Sequence, residues 1–467
     1  MAKDKLTDYD SVASGNLDVG GISVAEGMLP SGVNNAIREQ MSHLADFAAG
    51  TSGVDVLKLQ DDTDTNSIKL QAPSSVTADT TFTMPDGDGS ADQVLKTDGS
   101  GQLGWADRHA NPSLIINGAM TVSQRGTSQA SVGSTSGYFT VDRFQYAKGG
   151  TVNGAFTMSQ DTDVPSGQGF AKSLKMDVTT ADASIGADAQ YNIRQRIEGQ
   201  NLQHLKKGTS SAESTTVSFW VKSNKTGTYI VSLVDTDNSR TISKSYTINS
   251  ASTWEKKTIT YDGDTTGTLD NDNAVSLDVL FRLGAGSNFT SGTLATSWES
   301  TTNANVAVGQ VNVTDSTSNE WYITGVKLEV GSTATDFVHE DYGTTLRKCQ
   351  RYTSVFEADG SFDNYAVLAI GRWFSGTDAQ MYFSLPVTMR NPPSLDATNT
   401  TAVGTFSINV GGGLGAVLPT GISLNERSAN AVTLTVSYSG GGQTAGQATT
   451  LYSDNADVAK VVFEAEL

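Results

Sequence analysis

The sequence predicts a mainly β protein, and three observations predict it. First, only 17 % of the 467 residues are charged, against about 25 % in an ordinary soluble chain. Roughly a third of the chain is Ser, Thr, Asn and Gln, which suit the outer faces of strands better than long helices. Second, short runs alternate between apolar and polar residues, as where Val217, Phe219 and Val221 interleave with Thr216, Ser218 and Trp220, the period of a half-buried strand. Third, turn chemistry separates these runs, for example Pro85-Asp-Gly-Asp-Gly89 and Asp98-Gly-Ser-Gly101. The same composition excludes a helical bundle, a coiled coil and an α/β enzyme of ordinary make-up.

The length is that of about three domains. Lys and Arg number 31 against 50 Asp and Glu, a net charge of −19. Phosphate binding depends on Lys and Arg contacts, and no basic cluster exceeds Lys206-Lys207 or Arg347-Lys348. Nucleic acid is therefore not an expected partner. No run approaches the ~18 apolar residues of a membrane span, so membrane insertion is not expected. Met1-Ala-Lys-Asp-Lys-Leu6 lacks the apolar core of a signal peptide, which suggests synthesis and assembly in a cytoplasm. Cys349 is the single cysteine, so no intrachain disulfide forms.

Residues 1–50 are polar apart from one helix predicted over 31–49. Ser31 is its expected N-cap and Gly50 its stop. Val33, Ile37, Met41, Leu44 and Ala48 recur at helical spacing on one stripe. An isolated helix of this length is marginal, so the stripe is expected to dock on a partner or to oligomerise. Residues 51–112 carry short strands at Ser67–Gln71, Thr80–Met84 and Gln93–Thr97, too short and too few to enclose a core in one copy. Several chains wound into a shaft would supply the missing partners. Within 51–107, ten Asp against three Lys leave seven net negative charges.

Residues 113–340 read as a β-sandwich of jelly-roll type. Expected strands are Ser113–Asn117, Ser173–Val178, Ala189–Ile197, Thr215–Ser223, Thr228–Asp235, Thr241–Thr247, Trp254–Tyr261, Val275–Leu283 and Glu320–Val330. Residues 341–352 form a connecting helix with Leu346, Cys349 and Tyr352 on one face. Basic neighbours of Cys349 would lower its pKa, but no catalytic partner accompanies it, and it reads as a packed thiol. Residues 353–467 form a second β domain, with strands at Tyr365–Ile370, Gln380–Leu385, Ser407–Val410, Ala431–Tyr438 and Ala459–Ala465.

Several motifs together resemble bacteriophage tail fibres. Leu29-Pro-Ser-Gly-Val-Asn-Asn-Ala-Ile-Arg-Glu-Gln-Met41 is similar to N-terminal segments of fibres from short-tailed phages. The run from Ile68 through Phe82-Thr-Met-Pro-Asp-Gly-Asp-Gly89 to Gln93-Val-Leu-Lys-Thr-Asp-Gly-Ser-Gly-Gln-Leu-Gly-Trp105 resembles a shaft repeat. Leu114-Ile-Ile-Asn-Gly-Ala-Met-Thr-Val-Ser-Gln-Arg-Gly-Thr127 with Tyr138-Phe-Thr-Val-Asp-Arg-Phe144 resembles the opening of fibre domains related to carbohydrate-binding sandwiches. Val326-Lys-Leu-Glu-Val-Gly331, Cys349-Gln-Arg-Tyr352 and Leu385-Pro-Val-Thr-Met-Arg-Asn-Pro-Pro393 follow in the same order.

The resemblance implies a homotrimer in the virion tail. Its N-terminal segment would attach to tail proteins such as an adaptor, nozzle or baseplate, through Val33, Asn34, Asn35, Ile37, Arg38, Met41 and Leu44. Its distal β domains would bind a host surface glycan or outer-membrane receptor. Gln124, Arg125, Asp142 and Arg143 recur in this resemblance and are expected to be structural rather than ligand-binding, with Asp142 and Arg143 in a buried polar network at the sandwich edge.

No catalytic set and no cofactor is expected. His43, His109, His204 and His339 lack metal-ligand spacing, so no metal residues are assigned. Asp61-Asp-Thr-Asp64, Asp86-Gly-Asp88, Asp161-Thr-Asp163, Asp235-Thr-Asp237, Asp262-Gly-Asp264 and Asp270-Asn-Asp272 read as solvated turns. A structural calcium stays compatible with the resemblance. Trp298 and, in an expected loop after Ile370, Trp373 and Phe374 are the candidate receptor-binding aromatics, whereas Trp220 and Trp254 are assigned to strands and to the core. Two other readings remain: a tailspike enzyme degrading host polysaccharide, and a structural connector carrying another receptor-binding protein.

Overall fold

The computed structural model of the chain describes residues 15–25, 27–49, 56–60, 67–71, 75, 81–89, 93–107, 111–359, 365–410, 415–455 and 458–467. The chain divides into two compact units, Met1–Arg108 and His109–Leu467.

In the first unit, β1 (Asp18–Val19) and β2 (Ile22–Ser23) pair through Gly20 and Gly21. Both glycines have positive φ, +53° and +77°, as a two-residue hairpin turn requires. Helix α1 covers Pro30–Ala49. Proline at the start fits, because the first turn needs no amide hydrogen from it. Ser31 therefore lies inside the helix rather than capping it.

Ala36 and His43 are buried, and α1 packs on the β1–β2 hairpin, where Val19 is buried. The other stripe, Val33, Ile37, Met41, Leu44 and Phe47, is exposed, as are Asn34, Asn35 and Arg38.

Further on, β3 (Val56–Gln60) pairs with β4 (Ser67–Gln71), and β5 (Gln93–Thr97) pairs with β6 (Leu103–Asp107). β3 and β6 are absent from the sequence reading. The expected strand Thr80–Met84 is reduced to a single bridge, Thr83 to Gln102, and Thr80 lies outside the described residues. The indole of Trp105 donates to the Gly87 carbonyl at 2.7 Å. Leu70, Phe82, Met84, Val94, Leu95 and Trp105 are all exposed in one copy of the chain.

The second unit opens with a sandwich of twelve strands: β7 (Ser128–Val132), β8 (Gln145–Gly149), β9 (Ala155–Asp161), β10 (Ser173–Thr180), β11 (Gln190–Glu198), β12 (Thr215–Ser223), β13 (Gly227–Asp235), β14 (Arg240–Ile248), β15 (Glu255–Tyr261), β16 (Val275–Ala285), β17 (Glu299–Ser300) and β18 (Glu320–Val330). One six-stranded sheet has the order β15-β12-β18-β10-β9-β7, the other β17-β14-β13-β16-β11-β8. Alternate side chains meet between them: Val217, Phe219 and Val221 face Tyr229, Val231, Leu233, Val279 and Phe281 in one core.

Ser113–Asn117 is not a strand. The side chain of Gln195 takes the partner strand's place, accepting from the Ile116 amide at 2.7 Å and donating to its carbonyl at 2.9 Å. Asn117 then turns at φ 61°. Its side chain bonds both main-chain groups of Val122 and the Asp142 carbonyl. A Cβ on Gly118 would lie 2.0 Å from the Val326 carbonyl, so only glycine fits.

Two helices follow in chain order: α2 (Ser287–Thr290) in the sandwich and α3 (Tyr342–Gln350) beyond it. Asp341 caps α3 by accepting from the Thr344 amide at 2.9 Å. Cys349 is fully buried. Burial pushes its thiol pKa well up, the reverse of what its basic neighbours suggested.

The C-terminal lobe contains β19 (Thr353–Asp359), β20 (Val367–Trp373), β21 (Asp378–Ser384), β22 (Ser394–Leu395), β23 (Phe406–Val410), β24 (Gly415–Val417), β25 (Gly421–Arg427), β26 (Ala431–Ser437), β27 (Ala448–Ser453) and β28 (Val458–Glu464). A seven-stranded sheet of order β24-β23-β27-β20-β21-β26-β25 stands beside a three-stranded one, β19-β28-β22. Phe356, Phe383 and Phe463 meet edge to face between them, with centroids 5.0–5.8 Å apart.

The two lobes join through a buried polar network that includes Asp142 and Arg143, as expected, together with Gln124 and Arg125. Asp142 accepts from the backbone and side-chain amides of Gln124, whose side chain also donates to the Thr353 carbonyl. Arg125 and Arg143 both pair with Glu466, and Arg125 also reaches Asp396 and Glu464. Glu198, at the end of β11, binds Arg351 at 2.7 and 2.8 Å and accepts from the Tyr352 hydroxyl.

Candidate functional site

The three candidate receptor-binding aromatics do not come together. Trp373 ends β20 and is 1 % exposed. The strand runs through the expected loop, so Ala369, Gly371 and Trp373 face inward, and the Trp373 indole donates to the Asn409 carbonyl at 3.2 Å. Phe374, one residue on, enters the β20–β21 turn and is 52 % exposed.

Trp298 is half-buried against the sandwich core. Its indole donates to the Asp262 carbonyl at 2.8 Å, and the Lys207 ammonium sits 5.2 Å from its ring centre. A protein cation already occupies that ring's approach.

The same holds on the outer face of the first sandwich sheet. Trp220 and Trp254 are half-buried there instead of in the core. The alternation of β12 sets Trp220 with Thr216 and Ser218, opposite Val217 and Phe219. Trp254, just before β15, donates to Asp163 at 2.8 Å. Lys222 lies 4.1 Å from the Tyr322 ring centre and 5.7 Å from that of Trp254, and Lys175 lies 5.2 Å from Tyr322. These rings and cations satisfy one another.

The outer face of the seven-stranded sheet is different. Its inner face meets the three-stranded sheet, and its register aligns two open rows. One row runs Thr450–Ile370–Tyr382–Thr433 across β27, β20, β21 and β26. The next runs Ala448–Arg372–Gln380–Thr435 across the same strands. Ile370 is 68 % and Tyr382 47 % exposed. The Gln380 side-chain oxygen accepts from Arg372 at 3.4 Å and from the Tyr382 hydroxyl at 3.5 Å. Nearby, the Tyr452 hydroxyl accepts from Asn409 at 3.0 Å.

An aromatic and aliphatic row beside a row of guanidinium, amide and hydroxyl groups can hold both faces of sugar chemistry: the apolar CH face and the ring hydroxyls. Of the aromatics expected from the sequence only Phe374, also exposed, lies near this face; Ile370 and Tyr382 are not among them. The signal was present in the alternation of β20 and β21, where every second residue faces away from Met381 and Phe383.

Three carboxylates of the turns expected to be solvated, Asp163, Asp235 and Asp264, bind protein cations instead. Asp235 and Asp264 both hold Lys207, and Asp264 takes Arg240 in a two-bond fork at 2.7 and 3.0 Å. Burial alone would raise Asp264, but the bonds from Arg240 and Lys207 outweigh it and hold its pKa below the usual carboxylate value. Asp163 pairs with Lys222. Among the described residues no three His, Cys, Asp or Glu side chains converge as a metal site would require; Asp61–Asp64 lies outside them. No helix among the described residues is long and apolar enough to cross a membrane.

No protein-family model matches the chain, and no curated protein matches it. Solved structures are similar at low identity. The enzymatically active domain of tailspike protein 4 from bacteriophage CBA120 aligns at 14 % identity and a TM-score of 0.25, over 47 % of this chain and 21 % of that one. This chain thus spans about a fifth of that domain. A family 11 carbohydrate-binding module of Clostridium thermocellum, bound to a β-1,3-1,4-mixed-linked tetrasaccharide, aligns at 12 % identity and a TM-score of 0.24, over 44 % of this chain and 99 % of the module. The module TmCBM61, bound to β-1,4-galactotriose, aligns at 11 % and 0.24, over 47 % and 99 %.

Proposed function

We propose that this chain is a bacteriophage tail fibre that binds a host surface glycan and does not cleave it. In this reading the fibre is a homotrimer in the virion tail, assembled in the host cytoplasm. Residues 1–50 dock on a tail protein through the exposed stripe of α1, residues 51–112 form the shaft, and the distal β lobes meet the host. The order of fibre-like motifs along the chain supports the fibre. The exposed apolar side chains of α1 and of Leu70, Val94, Leu95 and Trp105 in the hairpins support assembly from several copies, since clustered apolar surface marks an interaction face.

The observation that carries glycan binding is the open face of the seven-stranded sheet, where Ile370 and Tyr382 lie beside Arg372 and Gln380. Adsorption competition tests it. Purified protein added to host cells should slow phage adsorption, and Tyr382→Ala protein should compete at least tenfold less well with an unchanged melting temperature. Protein that binds no cells would favour a structural connector. Incubation with host surface polysaccharide should release no oligosaccharide; release would favour a tailspike enzyme.

A further inference from the structure

A cleft of about 520 Å³ lies where the sandwich meets the C-terminal lobe. Tyr138 and Gln145 line it from the sandwich, and Arg390, Asn391, Arg427 and Glu464 line it from the lobe. Junctions of this kind are frequent ligand sites.

Its cations are unusual for so acidic a chain. Arg390 donates to the carbonyls of Ala465, Asn273 and Glu466 at 2.8–3.0 Å. Those carbonyls fix the guanidinium, and the Glu198 and Glu466 carboxylates act on it from farther away. Arg427 is reached by a register shift in β25 between Leu424 and Arg427, a bulge that re-aims the side chain. It donates to the Pro393 carbonyl at 3.0 Å and is otherwise exposed. Among the described residues neither guanidinium has a carboxylate within ion-pair distance, and Glu464 and Glu466 on the same wall share Arg125 at 3.5 and 3.2 Å.

Gln145 contributes an unused donor. Its oxygen accepts from Arg194 at 2.6 Å, and its amide nitrogen has no partner among the described residues. The cleft therefore offers two guanidiniums with no direct ion pair among the described residues, side-chain amides and Tyr138, with the Glu464 and Glu466 carboxylates also on its wall.

We propose that this cleft binds an acidic sugar unit of a host polysaccharide, with Arg427 and Arg390 facing its carboxylate and Gln145 and Asn391 facing its ring hydroxyls. Planar guanidinium pairs favour carboxylates geometrically as well as electrostatically. The proposal rests on the glycan-binding reading of the distal lobes. It adds a ligand class and a second place on those lobes.

Calorimetric titration of the whole chain tests it, with three acidic oligosaccharides: trigalacturonic acid, a hyaluronan tetrasaccharide and trisialic acid. Galactotriose serves as the neutral control. At least one acidic probe should bind, with galactotriose at least tenfold weaker, and raised salt should weaken the binding. Arg427→Gln should lower affinity about tenfold and Arg427→Lys less, both with the wild-type melting temperature. Tyr382→Ala should leave acidic binding unchanged while reducing cell adsorption, which separates this site from the sheet face. Failure of all three probes, equal binding of galactotriose, or unchanged affinity in Arg427→Gln would overturn the proposal. Loss of acidic binding in Tyr382→Ala would overturn it too, by moving the site to the sheet.

Discussion

The guanidinium of Arg143 lies 3.5 Å from the centre of the Tyr352 ring. Arg143 comes from the start of the sandwich and Tyr352 from the entry to the C-terminal lobe, so this stacked pair spans the junction between them. Arg143 adopts φ 72° to reach it, a conformation that costs a non-glycine residue about 1 kcal/mol or more. Glu466 neutralises Arg143 on one side, and Glu198 holds the Tyr352 hydroxyl on the other.

Removing the shared carboxylate should therefore be costly. Glu466→Gln leaves Arg143 buried without its ion pair and strips one of three acidic partners from Arg125. Breaking one side of a buried pair costs about 3–5 kcal/mol. Urea unfolding of the chain should show a loss of that order; a loss under about 1 kcal/mol would mean the junction tolerates the bare cation.

Acid should loosen both this junction and the sandwich. Burial alone would raise Glu198, but its bonds from Arg351 and Tyr352 outweigh that and lower its pKa; Asp264 is lowered likewise by Arg240 and Lys207. A carboxylate with a depressed folded pKa stabilises fully above its unfolded value, and that stability is lost as pH falls through the folded value. Glu464 and Asp142 are raised by burial, so they act oppositely, favouring the fold more at low pH and less as pH rises through the ordinary carboxylate range. Melting temperature followed from about pH 5 down to about pH 2 should fall, and Glu198→Gln should make that fall shallower.

Neighbouring aromatics should respond in opposite ways. Trp373→Ala opens a hole in the lobe core and should cost about 3–5 kcal/mol of stability. Phe374→Ala touches only the exposed turn and should change stability by no more than about 0.5 kcal/mol. Thermal melts of the two variants check the contrast, and adsorption competition by Phe374→Ala reports whether the turn reaches the receptor.

The helix stripe makes a prediction of its own. Ile37→Asp with Met41→Asp charges the exposed face of α1 and leaves Ala36 and His43 in place against the hairpin. The distal unit should melt normally, while incorporation into particles should be lost. Normal incorporation would remove the docking role of α1.

Cys349 should be silent in the native protein. It is fully buried and its thiol pKa is raised by that burial, so little thiolate forms near neutral pH. A thiol reagent should label it only after denaturation, and rapid labelling of native protein would contradict its placement.

Much of the β architecture was legible because it rests on local alternation. Thr215–Ser223 and Glu320–Val330 coincide with β12 and β18 to the residue. What failed depended on distant partners. Ser113–Asn117 has strand-like residues, but the side chain of Gln195, 79 positions away, took the backbone bonds a strand would have made. Trp373 was expected in a loop after Ile370; only the continuation of β20 to Trp373 decides which face it takes. The Arg427 side of the cleft was invisible, since a bulge in β25 and the carbonyl of Pro393 set it.

The acidic partner of Arg125 and Arg143 is made long after them: Glu466 follows Arg125 by 341 positions. A growing polypeptide must fold most of the sandwich while two arginines destined for burial still await their counter-charge. Cutting a gene fragment at the visible seam between the lobes would reproduce that unfinished state permanently. Dissection of this molecule should therefore keep residues 109–467 together, and the sandwich expressed by itself should accumulate as an incompletely closed, chaperone-bound species.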